Sequence, residues 1–250
     1  MSENAFAPGP GGIEALRAKV DQIDDQILNL VIERAGLSGA IAAAKAQAGG
    51  DAPKFAMRPA REVQILRRLI AAGRDRADPV LIAEVWRNLM TSNLRSQTPF
   101  EVVVSPGVDP VVVWDLARRH FGAGAPLQRA MDARSALTRV IESPNAVAVL
   151  PFPGNVGSGG WWPILVESKS AELRIVAALP CYAAGEKSPE AAVVARVPLE
   201  PAGEDETLII TLDEKGRSAR VLTDTGLKFE EIERARSQAL HRVFDFVSEN

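Results

Sequence analysis

From residue 13 onward, apolar residues recur mostly every three or four positions. They are Ile13, Leu16, Val20, Ile23, Ile27, Leu30, Leu37 and Ile41, and alanines continue the pattern to Ala48. This period predicts one long helix of roughly 50 Å that ends at the following glycine pair. Because a helix of this length cannot bury its apolar stripe alone, we expect it to pair with another helix.

Two shorter helices are predicted before residue 99. Pro59 stands where a first helical turn tolerates proline, and the segment that it opens ends at Gly73. Asp78 and Pro79 have the character of a helix cap and a first helical residue, and this third helix ends before Pro99. Residues 12–98 are therefore predicted to be a helical domain.

The pattern changes after residue 99 to short runs of β-branched residues. The predicted strands are 101–104, 146–150, 173–179, 191–197, 208–212 and 219–222, and the predicted helices are 109–121, 132–142 and 228–248. Strands that alternate with helices favour a partly parallel sheet. Residues 99–250 are therefore predicted to be a separate α/β domain.

The composition of the chain argues against several classes of function. The 250 residues are 46% hydrophobic and carry a net charge of -3, which gives no general attraction to nucleic acid or to an anionic membrane. The sequence has no signal-peptide pattern and no apolar run long enough to span a bilayer, so a cytoplasmic location is expected. One cysteine, Cys181, and two histidines, His120 and His241, argue against a metal site, and no cofactor is expected.

Two cationic residues interrupt the apolar stripe of the first helix. Arg34 lies four residues after Leu30, and Lys45 lies four residues after Ile41. Eleven residues separate the two cations, which places them on one helix face at roughly 16 Å along the axis. Their long side chains could bracket a small anion.

Polar residues also stand on the predicted inner faces of the other two helices. Asn93 and Gln97 extend the third helix's stripe, and Arg61 and Glu62 stand in the first turn of the second helix. The stripe of the third helix consists of Ile82, Val85, Trp86, Leu89 and Met90. Burying such groups costs several kcal/mol unless each has a partner, and a small polyanionic ligand would supply one. Ion pairs between helices, or exposure at the surface, are the alternative for each residue.

Arg17 also lies near the inner stripe of the first helix. It is about 42 Å from Lys45 along the axis, too far to serve the same site within one chain. It could contribute from a second, antiparallel copy of the helix. An exposed arginine near a helix start is the alternative.

These residues, taken in chain order, resemble those of the helical chorismate mutases, including mutase domains fused to prephenate dehydratase. The segments that carry the resemblance are Leu16-Arg17, Ile23-Asp24, Glu33-Arg34, Ala44-Lys45, Arg58-Pro59-Ala60-Arg61-Glu62, Asn93 and Gln97. The resemblance covers roughly residues 12–98. It implies an intertwined helical homodimer that converts chorismate to prephenate by a cofactor-free Claisen rearrangement in phenylalanine and tyrosine biosynthesis.

The resemblance also assigns roles to the residues that would bind the substrate. Arg34, together with Arg17 of the partner subunit, would clamp the two substrate carboxylates, and Arg61 and Asn93 would complete the wall of the site. Many relatives carry serine at the position of Asn93, and some carry an acidic residue at the position of Arg58.

The remaining roles concern the reacting centre of the substrate. By the same resemblance, Lys45 and Gln97 would donate hydrogen bonds to the breaking ether oxygen. Glu62 would accept one from the ring hydroxyl.

Residues 99–250 resemble the periplasmic-binding-protein-like domain of prephenate dehydratases, in residues 146–151, the Gly/Ser-rich turn after them and residues 173–180. Where that family has a Thr-Arg-Phe motif, this sequence has Thr207-Leu208-Ile209. A scaffold, dimerisation or effector-binding role is therefore expected rather than dehydratase activity. Trp161 and Trp162 could pack in the core or line a pocket for an aromatic ligand.

Two alternatives to a monofunctional mutase stay open. One is a bifunctional mutase and dehydratase. The other is a regulatory protein whose helices pair and whose α/β domain binds an aromatic amino acid as effector. Lys45, Glu62 and Gln97 argue against the second, because a pure pairing module would favour apolar residues at such positions.

Overall fold

In the computed structural model of the chain, the structure describes residues 12–47, 55–74, 76–107, 109–153, 160–181, 189–198, 200, 205–212, 219–223 and 241–247. Packing divides the chain into two compact units, residues 1–52 and residues 53–250. The predicted boundary near residue 98 separates two functional domains rather than two units of packing, and it stays a prediction. The glycine pair at which the first helix is predicted to end, Gly49 and Gly50, lies outside the described residues.

The first unit contains helix α1, which runs over Gly12–Gln47 and confirms the long helix that the apolar period predicts. Most of the large apolar side chains on its stripe are exposed in the single chain, as are Leu28 and Ile32 beside that stripe. A helix with apolar residues on more than one side needs neighbours on more than one side.

Helices α2, Pro59–Gly73, and α3, Pro79–Gln97, begin where their sequence signals predict. The Asp78 side chain accepts a hydrogen bond of 2.9 Å from the backbone N–H of Val80, which caps α3. The α3 helix packs on α2 and on a further helix, α4, which runs over Pro110–Phe121.

The face of α3 that the second unit buries is not the predicted one. The buried residues are Ala83, Arg87, Thr91 and Leu94. On the predicted stripe, Asn93 is half-buried and Gln97 is exposed, so neither belongs to the face of α3 that this unit buries. Two of the buried residues, Ala83 and Thr91, are small, and the larger apolar residues of the predicted stripe lie outside this buried face.

The α/β part of the second unit is built on an eight-stranded mixed sheet in the order β2-β1-β3-β5-β4-β8-β6-β7. The strands are β1 Glu101–Val104, β2 Leu127–Arg129, β3 Ala146–Pro151, β4 Arg174–Leu179, β5 Ala191–Ala195, β6 Asp205–Leu212, β7 Ala219–Thr223 and β8 His241–Val247. Strands β2, β1 and β3 are parallel and are joined by α4 and by α5, Ala133–Glu142. Strand β5 is antiparallel to β3 and β4, which confirms a partly parallel sheet.

Two of the strands differ from the prediction. The predicted helix 228–248 is wrong at its end, because His241–Val247 is a strand that pairs with β6 and β4. Its β-branched and aromatic residues favour a strand, while residues 224–240 lie outside the described part of the chain. Strand β2 was not predicted, because three residues are too few for a recognisable alternation.

Strands β1, β3, β4 and β5 have buried residues on both faces of the sheet. Val102 and Val104 pack in a cluster with α4 and with Phe55, Met57 and Leu94, whereas Val103, between them, packs on the face that α5 covers. The segment before α2 and the end of α3 thus share a core with the sheet. None of the described helices is both long and apolar enough to cross a membrane.

Candidate active site

Three of the predicted site residues lie on α1. The exposed Arg17 donates a hydrogen bond of 2.7 Å from Nη1 to Oε1 of Glu14, one turn earlier. Arg34 is half-buried, and burial lowers the pKa of its guanidinium, which nevertheless stays charged at neutral pH. Lys45 belongs to the last turns of the helix, and its side chain lies outside the described part of the structure.

Two more predicted residues lie in the first turn of α2. Arg61 is exposed, and the Glu62 side chain is only 20% exposed. Arg58 is the residue that precedes α2. Its guanidinium holds the Glu200 carboxylate with Nη2 at 3.0 Å from Oε2 and Nε at 3.2 Å, so this cation is directed toward the α/β part of the unit.

Glu62 forms an ion pair that the sequence analysis did not find. Arg87 of α3 donates from Nη1 to Oε2 of Glu62 at 2.8 Å, and its side chain is only 6% exposed. Burial raises the pKa of Glu62 above its ordinary value, while Arg87 and a backbone hydrogen bond at Arg58 act in the opposite direction. The sequence contained one indication of this pair. Arg87 lies four residues after Ala83 and four before Thr91, so it shares a helix face with two small residues.

The last two predicted residues lie one turn apart near the end of α3. Asn93 is half-buried and Gln97 is exposed, and both continue the face of Trp86 and Leu89. Within the second unit, the structure therefore keeps the amide-bearing face of α3 separate from the face that carries Arg87.

Behind Arg87 lies a small cavity of about 40 Å³, whose lining includes Arg87, His120 and Cys181. The Cys181 Sγ lies 3.4 Å from Nδ1 of His120, and both residues are buried. Burial, and secondly the charge of Arg87, hold the pKa of His120 well below its ordinary value. This histidine is therefore neutral at neutral pH, as expected for a core residue. The described residues contain no group of three or more His, Cys, Asp or Glu side chains that could hold a metal ion.

A larger crevice of about 410 Å³ opens near the carboxyl ends of β1 and β3, beside the start of α5. Ser105, 3% exposed, lines it, and its hydroxyl makes no hydrogen bond with any residue that the structure describes. Arg134 and Trp161 also line the crevice. Trp161 is a core residue as well, because it is buried and its Nε1 donates to the Pro151 carbonyl at 2.9 Å. Trp162 is half-buried.

Each of the three N-terminal helices carries cationic or amide side chains that the sequence analysis identified as candidates. Comparison with known families identifies the class of this segment. Residues 16–98 match the family model described as chorismate mutase type II. This segment is a type II chorismate mutase domain and hence an isomerase domain.

Two curated relatives carry the printed name bifunctional chorismate mutase/prephenate dehydratase. The protein from Pseudomonas aeruginosa is 31% identical over 112 residues, which is 44% of this chain and 30% of the relative. The protein from Stutzerimonas stutzeri is 29% identical over 111 residues, with the same coverage of 44% and 30%. The chain thus spans less than a third of the length of these relatives. No solved structure matches the chain.

Proposed function

We propose that the chain is a chorismate mutase that converts chorismate to prephenate without a cofactor, as a step in phenylalanine and tyrosine biosynthesis. The family match carries the proposal, because residues 16–98 contain every polar residue to which the resemblance assigns a role. Those residues are Arg17, Arg34, Lys45, Arg61, Glu62, Asn93 and Gln97.

The chemistry of the reaction fits this set of residues. A Claisen rearrangement needs neither a nucleophile nor a general base, so the protein must hold a dianion in its reactive conformer and stabilise charge on the ether oxygen. Arg34 and Arg61 supply charge and directed hydrogen bonds for carboxylates, and Lys45 and Gln97 supply donors for the ether oxygen. Asn93 would position the substrate, and Glu62 would accept the hydrogen bond of its ring hydroxyl.

We also propose that the active form is a homodimer formed through α1, in the cytoplasm. The exposed apolar side chains of α1 support this, because they lie on more than one side of the helix. Arg17 would then act from the partner subunit, after giving up its exposed ion pair with Glu14, which is weak in water. Gel filtration of the full chain tests the dimer.

Chorismate consumption tests the activity directly. Purified full chain without added cofactor should lower the ultraviolet absorbance of chorismate, and phenylpyruvate should form only in an aliquot treated with acid. A sample without protein is the control. No loss of chorismate would contradict the proposal and would place the regulatory alternative first.

The names of the relatives favour a second candidate, a bifunctional mutase and dehydratase. The segment Thr207-Leu208-Ile209, which lies on β6, has neither the arginine nor the aromatic residue of the dehydratase motif. We therefore expect no phenylpyruvate before the acid treatment. Its appearance in the untreated aliquot would establish the bifunctional alternative.

The crevice beside α5 supports an effector role for the α/β part. Ser105 and Arg134 offer a hydroxyl and a cation to the carboxylate of an aromatic amino acid. Phenylalanine or tyrosine at about 100 times its dissociation constant should stabilise the fold by about 2.7 kcal/mol and raise Tm. Ser105→Ala should reduce this shift, and alanine as ligand is the control. An unchanged Tm and rate at saturating phenylalanine and tyrosine would exclude the effector role.

A further inference from the structure

Arg87 is a cation in the core of the second unit, and this position requires an explanation. Its side chain is 6% exposed, and the same face of α3 carries the buried Ala83, Thr91 and Leu94. Taking a guanidinium out of water costs several kcal/mol unless hydrogen bonds and an opposite charge compensate for it. The Glu62 carboxylate, 2.8 Å away, supplies that charge.

Other polar groups lie near Arg87 besides Glu62. The adjoining cavity of about 40 Å³ is also lined by His120, Cys181, Glu84 and Arg119. His120 is neutral at neutral pH, and the Glu84 carboxylate lies 3.4 Å from Nε of Arg119. The side chains of Arg87 and Glu62 are only 6% and 20% exposed, so bulk solvent screens this pair less than it screens a surface ion pair.

We propose that Arg87 is a positioning residue for the mutase reaction, which holds the Glu62 carboxylate in the orientation that accepts the hydrogen bond of the substrate's ring hydroxyl. This inference rests on the proposed function, because Glu62 contacts chorismate only if the chain is a mutase. A carboxylate has about four acceptor positions, so the bond to Arg87 leaves others for the hydroxyl.

The influences on the pKa of Glu62 indicate how the loss of Arg87 would change this carboxyl group. Burial raises the pKa of Glu62, and Arg87 is the larger of the two influences that oppose burial. Without Arg87, only the backbone hydrogen bond at Arg58 would oppose it, so the neutral carboxyl would become more favourable. A neutral or rotated carboxyl would be a poorer acceptor for the hydroxyl.

Residues of the α/β part of the unit lie next to Arg87 and help to hold it in place. His120 belongs to α4, and Cys181 follows β4, and both line the cavity against Arg87. The sheet and α4 therefore support a residue of the mutase domain through Arg87, which gives residues beyond 98 a part in keeping the mutase domain in its active form.

A double-mutant cycle in the full chain tests the proposal. Arg87→Met and Glu62→Gln should each lower kcat/KM for chorismate by about 10- to 100-fold, mainly through a higher KM. The double variant should be no worse than Glu62→Gln alone, because Arg87 acts through Glu62. Arg87→Lys keeps the charge and should recover most of the loss.

Arg119→Met is the matched control, since it removes an arginine from the same cavity wall and should leave kcat/KM unchanged. Circular dichroism and a urea titration of each variant give the folded fraction to which the rates are normalised. If Arg87→Met does not fold, Arg87→Gln replaces it in the cycle. Additive losses, or wild-type kcat/KM in folded Arg87→Met, would overturn the role of Arg87. Absence of turnover by the wild-type chain would instead contradict the proposed function.

Discussion

Replacing Arg34 with alanine should lower kcat/KM for chorismate by about two to three orders of magnitude. The change removes a preorganised cation that we assign to a substrate carboxylate, and the loss of such a donor typically costs about 3 to 4 kcal/mol of transition-state stabilisation. Arg34 is half-buried on α1, so its charge is less screened than that of an exposed arginine. Steady-state kinetics of chorismate consumption measure the effect.

Lys19→Ala is the control for Arg34→Ala. Lys19 is an exposed cation on the same helix, and its loss changes the net charge of the chain by the same amount. Alanine has the highest helix propensity, so neither substitution should unfold α1. If the two variants had equal kcat/KM values, or if Arg34→Ala kept a near-normal rate, Arg34 would not be a substrate-binding residue.

Replacing Lys45 with alanine should have an effect of similar size, about 3 to 4 kcal/mol, but mainly on kcat. We assign Lys45 to the ether oxygen, where negative charge develops as the bond breaks. An interaction that becomes strong only in the transition state lowers kcat when it is removed, and it changes KM little. Single-turnover kinetics at saturating chorismate would isolate this step.

Gln47→Ala is the control for Lys45→Ala, because Gln47 is exposed and lies in the same last turns of α1. Comparison of the two cation variants also separates their roles. Arg34→Ala should raise KM as well as lower kcat, since a carboxylate is bound in both the ground state and the transition state. A pure KM effect of Lys45→Ala would contradict its assignment to the ether oxygen.

Local signals in the sequence predicted many of the helices and strands. Asp109 and Asp132 stand at helix starts, and each side chain accepts a hydrogen bond from a backbone N–H in the first turn, 2.9 Å from Val111 and 2.7 Å from Ser135. Such caps act over two or three residues, which is why the starts of the helices could be predicted. The mutase resemblance likewise came from residues in chain order, and the family match over residues 16–98 confirms it.

The pair of Glu62 and Arg87 could not be predicted in the same way. The two residues are 25 positions apart, and they meet only because α2 and α3 pack against each other. The interpretation of α3 used its large apolar residues, whereas the second unit buries the face with Ala83 and Thr91. Which of two apolar faces is buried depends on the neighbouring elements, and helical period alone does not contain that information.

The sequence by itself determined the long helix, the two shorter helices after it with their polar residues, the alternation of strands and helices that follows, and the mutase family of residues 16–98. Each of these depends on periodicity, on caps or on the order of a few residue types. Only the tertiary structure decided the buried face of α3, the partner of Glu62, and the strand at His241–Val247 in place of a helix. The physical reason is that these features are stabilised by burial and pairing between segments that lie far apart in the chain.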